Sequence, residues 1–335
     1  MYKIIQKGLF KKRRNFYLLF LLKLKGGSML KKPKKLEVTV PFRFKGINKC
    51  DDIVVMPPGY NFTKEILDCA ESVFSAKAFD AFAVPAFHKR LAEESQTVFE
   101  TLNIADKKHN VKRIIIFQTV DVHKKGKSNR FKNRATEDKY HISELINSRK
   151  RILEKYPNIE VSMVYVTLIK KQTRIRMFEI YPDGRKEIIF RAQYRFKDIY
   201  ECDTALVRCI EFRCRKEDRS FVRYSLGIDV FGLIGFPGAS KKFLEDSKSA
   251  WKAINLACNT EGCKRIILMH HADCGAYEKE AKAFNGDAVA EEKMHRKEMR
   301  KMKKMINKKY PGIEVIMVYV RIIDDQTKLR YVIIK

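Results

Sequence analysis

No C-x-x-C occurs among the eight cysteines of this 335-residue chain, and their spacings form no pairs. That excludes a zinc ribbon and argues against a disulfide framework. Free thiols belong to a reducing compartment, so a cytoplasmic setting is expected. No apolar run is long enough to span a bilayer. Phe16 to Leu22, after Lys11-Lys12-Arg13-Arg14, imitates a signal peptide, but Lys23 interrupts it and no small-residue cleavage site follows. Gly232, Gly235 and Gly238 lack the G-x-G-x-x-G spacing and a following G-K-[ST], which argues against a phosphate loop there. Acidic residues are scarce as well: 40 against 70 Lys and Arg, a formal net charge of +30. Such a field attracts polyanions without specifying one. The excess is mostly lysine, spread from end to end, with no Arg-rich tail or aromatic-interleaved basic motif. It reads as a solvated basic surface, with nucleic acid engaged only through non-specific charge and no membrane partner.

What the chain does contain is repetition. Its length can bury two cores, and two stretches match. Tyr194-Arg195-Phe196-Lys197-Asp198-Ile199 and Cys202-Asp203 echo Phe42-Arg43-Phe44-Lys45-Gly46-Ile47 and Cys50-Asp51. Lys309-Tyr310-Pro311-Gly312-Ile313-Glu314-Val315 repeats Lys155-Tyr156-Pro157-Asn158-Ile159-Glu160-Val161, and both continue through Met-Val-Tyr-Val. The unit is about 150 residues, far above solenoid periods, so duplication of a domain is the expectation. Residues 1–34 then form a basic extension, 35–186 the first copy and 187–335 the second. Lys25-Gly26-Gly27-Ser28-Met29 also reads as a translated ribosome-binding site, which would make Met29 the start.

Each copy alternates strands and helices and ends in a strand hairpin. This predicts an α/β fold, each copy a mostly parallel sheet flanked by helices, with an antiparallel edge. Ala288 to Tyr310 is expected to be a helix with an apolar stripe of Met294, Met302, Met305 and Ile306, read as core packing. Pro311-Gly312 ends it.

The chemistry sits at two predicted strand ends. Cys209-Ile-Glu-Phe-Arg213 follows the apolar run Ala205-Leu206-Val207, and His271-Ala-Asp-Cys274 follows Arg265 to Met269. Functional groups gather at the carboxyl ends of parallel strands. Side by side, these ends would bring Cys209, His271 and Cys274 together. Two thiolates and an imidazole suit zinc, and three protein ligands leave a fourth position open. His270 precedes His271 on the strand and points the other way, so a structural role is expected.

C-x-[D/E]-x-R followed by H-x-x-C-G resembles the β-class carbonic anhydrases. Asp229 to Ile234 and the tail Tyr319 to Lys335 are similar to further segments of that family, so the likeness covers most of 187–335. The resemblance implies zinc on Cys209, His271 and Cys274, and zinc-dependent reversible hydration of carbon dioxide to bicarbonate. It also implies that Glu211 and Arg213 act as the family's Asp-Arg dyad. Glu211 departs from that pattern by one methylene, and the longer arm would either pair with Arg213 or reach the metal and close the site. In the first copy, register places Pro57 opposite Cys209, Thr119 opposite His271 and Val122 opposite Cys274, with Gly59 and Asn61 opposite Glu211 and Arg213. Pro and Val cannot bind zinc and Thr binds it poorly, so this copy is expected to be metal-free. It would serve as permanent partner in an internal pseudo-dimer, with a further homo-oligomer expected by analogy. A zinc-stabilised scaffold without activity, and a basic nucleic-acid-binding protein, are the other readings.

Overall fold

Six strands form in each half of the chain, the central ones alternating with helices, and they become two six-stranded sheets. The computed structural model of the protein describes residues 37–93, 96–121, 131–197, 199–245 and 248–335. The expected extension 1–34 and Val122 lie outside these. In the first half the strands are β1 (Glu37–Pro41), β2 (Asp52–Met56), β3 (Phe79–Ala83), β4 (Arg113–Thr119), β5 (Glu160–Ile169) and β6 (Arg174–Ile180). In the second they are β7 (Lys186–Gln193), β8 (Thr204–Arg208), β9 (Gly232–Gly235), β10 (Arg265–His271), β11 (Glu314–Ile323) and β12 (Lys328–Ile334).

Every residue of β2, β3, β8 and β9 is buried. Such continuous apolar strands lie inside parallel sheets covered on both faces. β8 pairs in parallel with β9 and β10, and β10 in parallel with β11. β11 turns back into β12 as an antiparallel hairpin. The fold is therefore mixed α/β, parallel at the centre and antiparallel at one side.

The sheet orders are β1-β12-β11-β10-β8-β9 and β3-β2-β4-β5-β6-β7. Read from opposite ends, they match strand for strand, with β1 set against β7. Yet β1 lies on the second half's hairpin, pairing from Glu37↔Val332 to Pro41↔Lys328, and β7 lies on the first half's, against β6. Each half sends its first strand to cover the other's exposed edge. An uncovered hairpin edge is a row of unpaired donors and acceptors, and here each half removes the other's. Neither 35–186 nor 187–335 completes its own sheet, and residues 37–335 form one compact unit.

The halves also meet at β3 and β9. Gly59 and Leu233 exchange backbone hydrogen bonds of 3.3 and 3.1 Å, and the Ala81 N–H donates to the Ile210 carbonyl at 3.0 Å. Phe82 and Phe236 pack edge to face with centroids 5.9 Å apart. Gly235 is required here, because a Cβ on it would stand 2.6 Å from the Ala81 carbonyl oxygen.

The long helix is Ala288–Lys309, and Asp287 caps it by accepting from the Val289 and Ala290 N–H groups. Its buried stripe is His295, Met299, Met302 and Ile306. Met299 takes the central place in the stripe, and Met305 sits at the margin, half-buried. The equivalent helix, Arg134–Lys155, is capped by Asn133. No helix among the described residues is long and apolar enough to cross a membrane.

Candidate metal centre

β8 and β10 lie side by side with Val207 opposite Leu268, so their carboxyl ends open at the same level. Cys209 is the first residue beyond β8 and His271 the last of β10. Asp273 then adopts a left-handed φ of +55°, a conformation Asp tolerates better than most side chains. That turn folds Cys274 back toward the strand ends. The Cys209, His271 and Cys274 donor atoms all fall within 4.8 Å of one another, and each residue is at most 6% exposed. The predicted trio is thus assembled by topology.

The donors fit zinc on two counts. Cys209 Sγ and Cys274 Sγ are 3.7 Å apart. Two sulfurs each about 2.3 Å from one tetrahedral zinc would stand about 3.8 Å apart. His271 Nδ1 lies 2.8 Å from the Ala272 carbonyl oxygen, which can only accept. Nδ1 therefore donates its proton outward, which leaves Nε2 for the cluster. Nε2 is buried with no partner, as expected of a ligand whose tautomer is set by its outer hydrogen bond. The Cys274 hydrogen bond and neighbouring His271 carry the Cys209 thiol well below its ordinary pKa, despite burial. Cys274 is pushed up, first by sharing that bond with Cys209 and then by burial. The Gly238 N–H reaches Cys209 Sγ at 3.4 Å, so one glycine of the turn does approach the centre closely.

Glu211 and Arg213 are brought together beside it. Arg213 donates from Nε to Glu211 Oε1 at 2.9 Å and from Nη2 to Oε2 at 3.1 Å, and its backbone N–H adds 3.1 Å to Oε1. Among the described residues, no carboxylate oxygen joins the three donors within their cluster. Burial opposes the Glu211 charge, but Arg213 and His271 outweigh it and lower the pKa to about 2. Arg213 is itself held by Asp273, with 3.0 Å from Nη1 to Oδ2.

Sequence reasoning missed the groups that the first half contributes. Arg213 Nη1 also reaches Asn48 Oδ1 at 3.2 Å. His109, at the end of a π-helical turn from Ala105, places Nε2 4.0 Å from Glu211 Oε2. Its Nδ1 is 2.5 Å from Asp80 Oδ2, and Asp80 is wholly buried on β3. A signal existed: the register that aligns the copies sets Gly232 against Asp80 and Glu261 against His109. His270 faces away, accepting from the Ser240 N–H at 3.3 Å and sharing Nδ1 with His295 at 3.0 Å.

At the corresponding place in the first half, Pro57, Thr119 and Gly59 line a cavity of about 440 Å³ together with Glu261. Among the described residues the first half brings together two other groups that could hold a metal, Cys50–Asp80–His109 and Asp121–Glu137–His141. Glu261 fills the space that a side chain at 59 would need, since a Cβ there would stand 2.7 Å from its Oε1. Burial raises the Glu261 pKa to about 7.

Fold and cluster together define an α/β protein with a two-thiol, one-imidazole candidate metal centre at the ends of adjacent parallel strands. Comparison adds a likeness over part of the chain: the family model described as "Putative carbonic anhydrase" matches residues 200–332. The chain is also similar to an uncharacterized protein of Rickettsia bellii (strain RML369-C), 28% identical over 134 residues, 36% of this chain and 76% of that one. A second relative, an uncharacterized protein of Rickettsia conorii (strain ATCC VR-613 / Malish 7), is 25% identical over 134 residues, covering 36% and 67%. The family match spans β8 to β12, the stretch that carries all five predicted site residues.

Proposed function

We propose that the chain is a zinc-dependent lyase that hydrates carbon dioxide reversibly, with one centre in the second half. The observation that carries this is the Cys209–His271–Cys274 cluster, with its 3.7 Å sulfur separation and unpartnered imidazole Nε2. Zinc held there would supply the Lewis acidity that lowers the pKa of a water from about 15.7 toward roughly 7. Arg213 occupies both Glu211 oxygens and keeps the longer carboxylate beside the cluster. Glu211 then accepts a hydrogen bond from the reacting water and orients it. His109, steadied by Asp80, stands behind Glu211 as the next proton acceptor. Phe212, packed edge to face on Phe44 and His109, keeps the surroundings apolar for a linear, uncharged substrate.

The same reading makes the first half a metal-free duplicate and a permanent partner. Support comes from hydrogen bonds that recur at equivalent positions. The Asp121 N–H donates to Glu137 and the Asp273 N–H to Glu291, both at 2.8 Å. Gln118 meets His141 at 3.0 Å as His270 meets His295. An internal pseudo-dimer with bicarbonate and carbon dioxide as its small-molecule partners follows, and pairing of whole chains belongs to the same proposal.

The deep burial of all three donors favours a second reading, a zinc-stabilised scaffold without turnover. Metal analysis followed by stopped-flow hydration of carbon dioxide separates them. About one zinc per chain with proton release above the uncatalysed rate supports the lyase. One zinc without turnover supports the scaffold, and no zinc after reconstitution overturns both.

A further inference from the structure

A second cavity, of about 400 Å³, lies away from the metal centre, between the helix Thr63–Ser72 and the helical run that begins at Arg215. Its charge is one-sided. Arg215, Arg219 and Arg223 stand four residues apart along one helical face and line the same wall. At equivalent positions on the facing helix are Thr63, Leu67 and Glu71, so the arginine row is not a shared feature of the two halves. Arg43 and Arg195, just beyond the exchanged strands β1 and β7, line it as well, with Lys64 and Lys216. Three carboxylates, Asp68, Glu71 and Asp229, line the same cavity, and Arg43 and Arg195 reach Glu217 and Glu65 at 3.4 and 3.7 Å.

Those acids do not neutralise the arginine row. Glu71 is shared between Arg215 Nη2 at 2.8 Å and Lys216 at 3.0 Å. Asp68 is engaged by Lys64, and Arg223 reaches Asp229 at 3.6 Å to the carboxylate and 3.4 Å to the backbone carbonyl. Arg219 makes no hydrogen bond or ion pair among the described residues. Arg215 is 4% exposed, and its Nε is buried without a partner. Like charges four apart on a helix repel, and burying an unpaired donor costs more. Burial and the neighbouring Arg223 lower the Arg219 pKa, and burial lowers that of Arg215 to about 10. An anion lodged against the row would relieve each of these. Aromatic surface borders the same space: Phe231, Phe196 and Tyr224, the last 57% exposed.

We propose that this cavity binds a nucleotide polyphosphate, with its phosphates on Arg215, Arg219 and Arg223 and its base on the Tyr224 ring. Guanidinium groups bind phosphate oxygens in pairs, and an exposed aromatic face accepts a base by stacking. A volume of about 400 Å³ suits one small ligand. A polynucleotide would need an open groove instead.

Isothermal titration calorimetry of the full chain with ATP, tripolyphosphate, adenosine and a single-stranded DNA oligonucleotide tests this without reference to zinc or turnover. ATP should bind, tripolyphosphate more weakly, and adenosine not detectably. Arg219→Ala and Arg223→Ala should each weaken ATP by at least about tenfold, the loss of one charge-assisted phosphate contact. Arg219→Lys should fall between, and Lys301→Ala on the exposed face of the long helix should bind as wild type. Circular dichroism matching wild type establishes that the variants are folded, and Arg223→Ala carries the test should Arg219→Ala prove unstable. Unchanged ATP affinity in folded Arg219→Ala and Arg223→Ala overturns the proposal. So does equal weakening by Lys301→Ala, which would mean diffuse charge, or an oligonucleotide that binds more tightly than ATP and is lost with the same arginines.

Discussion

His109 Nε2 stands 4.0 Å from Glu211 Oε2, although the two belong to opposite halves of the chain. The second half's candidate centre is thus bordered by groups of the first half. This gives the first half a role beyond packing, and it makes the centre sensitive to substitutions far away in sequence.

Zinc stoichiometry tests the ligand set directly. Wild-type protein should carry about one zinc per chain by plasma mass spectrometry. Cys209→Ser, His271→Ala and Cys274→Ser should each remove it, whereas Thr119→Ala should leave the content untouched. Zinc lost selectively from Thr119→Ala would show that the first half, not the second, holds the metal.

The Glu211–Arg213 pair is buried on both sides, with side chains 3% and 8% exposed. Arg213→Met leaves the carboxylate without its bidentate partner, which should cost about 3–5 kcal/mol in urea unfolding. Glu211→Asp, one methylene shorter, should keep the zinc and bring hydration activity to at least the wild-type level. Loss of zinc in Glu211→Asp would mean that the glutamate belongs to the metal's own shell.

The His109–Asp80 pair sets a pH dependence. Burial alone would lower the His109 pKa, but the hydrogen-bonded Asp80 carboxylate outweighs it and raises the value above the ordinary 6.5. The His109 contribution is therefore fully present below about pH 6.5 and lost as pH rises through its raised folded value, while burial raises Asp80 itself to about 6, so Asp80 loses its charge as pH falls through that value. In Asp80→Asn the burial effect acts with its main opponent gone, and His109 should titrate below 6.5 by NMR. A His109 value unchanged by Asp80→Asn would remove Asp80 as the cause.

Strand exchange predicts the behaviour of fragments. A chain of residues 187–335 lacks β1 for its β12 edge, and lacks Asn48, Asp80 and His109 for its centre. It should not be a folded monomer by gel filtration and circular dichroism, and co-expression with 1–186 should restore a soluble complex. A stable monomeric fragment with native-like spectra would argue that the exchanged strand is dispensable.

Gly235 tests the contact between halves at a single atom. A Cβ there meets the Ala81 backbone oxygen at 2.6 Å, and backbone cannot move aside as a side-chain tip can. Gly235→Ala should destabilise by about 1–3 kcal/mol, the usual cost of overpacking. No measurable change in urea midpoint would mean that the two sheets can slide apart here freely.

What the sequence determined by itself was local or periodic. Continuous apolar runs marked β8 and β10 as buried parallel strands, and residue types at their ends marked Cys209, His271 and Cys274 as one donor set. Repeated motifs announced two similar halves, and an amphipathic pattern bounded by Pro311 outlined the long helix, though it placed Met305 where Met299 belongs. Only the tertiary structure decided which strand covers which edge. β1 and β7 satisfy the same pattern on either hairpin, and hydrogen bonding to a backbone edge does not depend on the side chains that a sequence displays. Packing of the two halves likewise places Asn48 at Arg213 and His109, held by Asp80, at Glu211, and sets the arginine row facing a helix of the first half. Such contacts join residues distant along the chain, where spacing carries no information and the geometry of packing carries all of it.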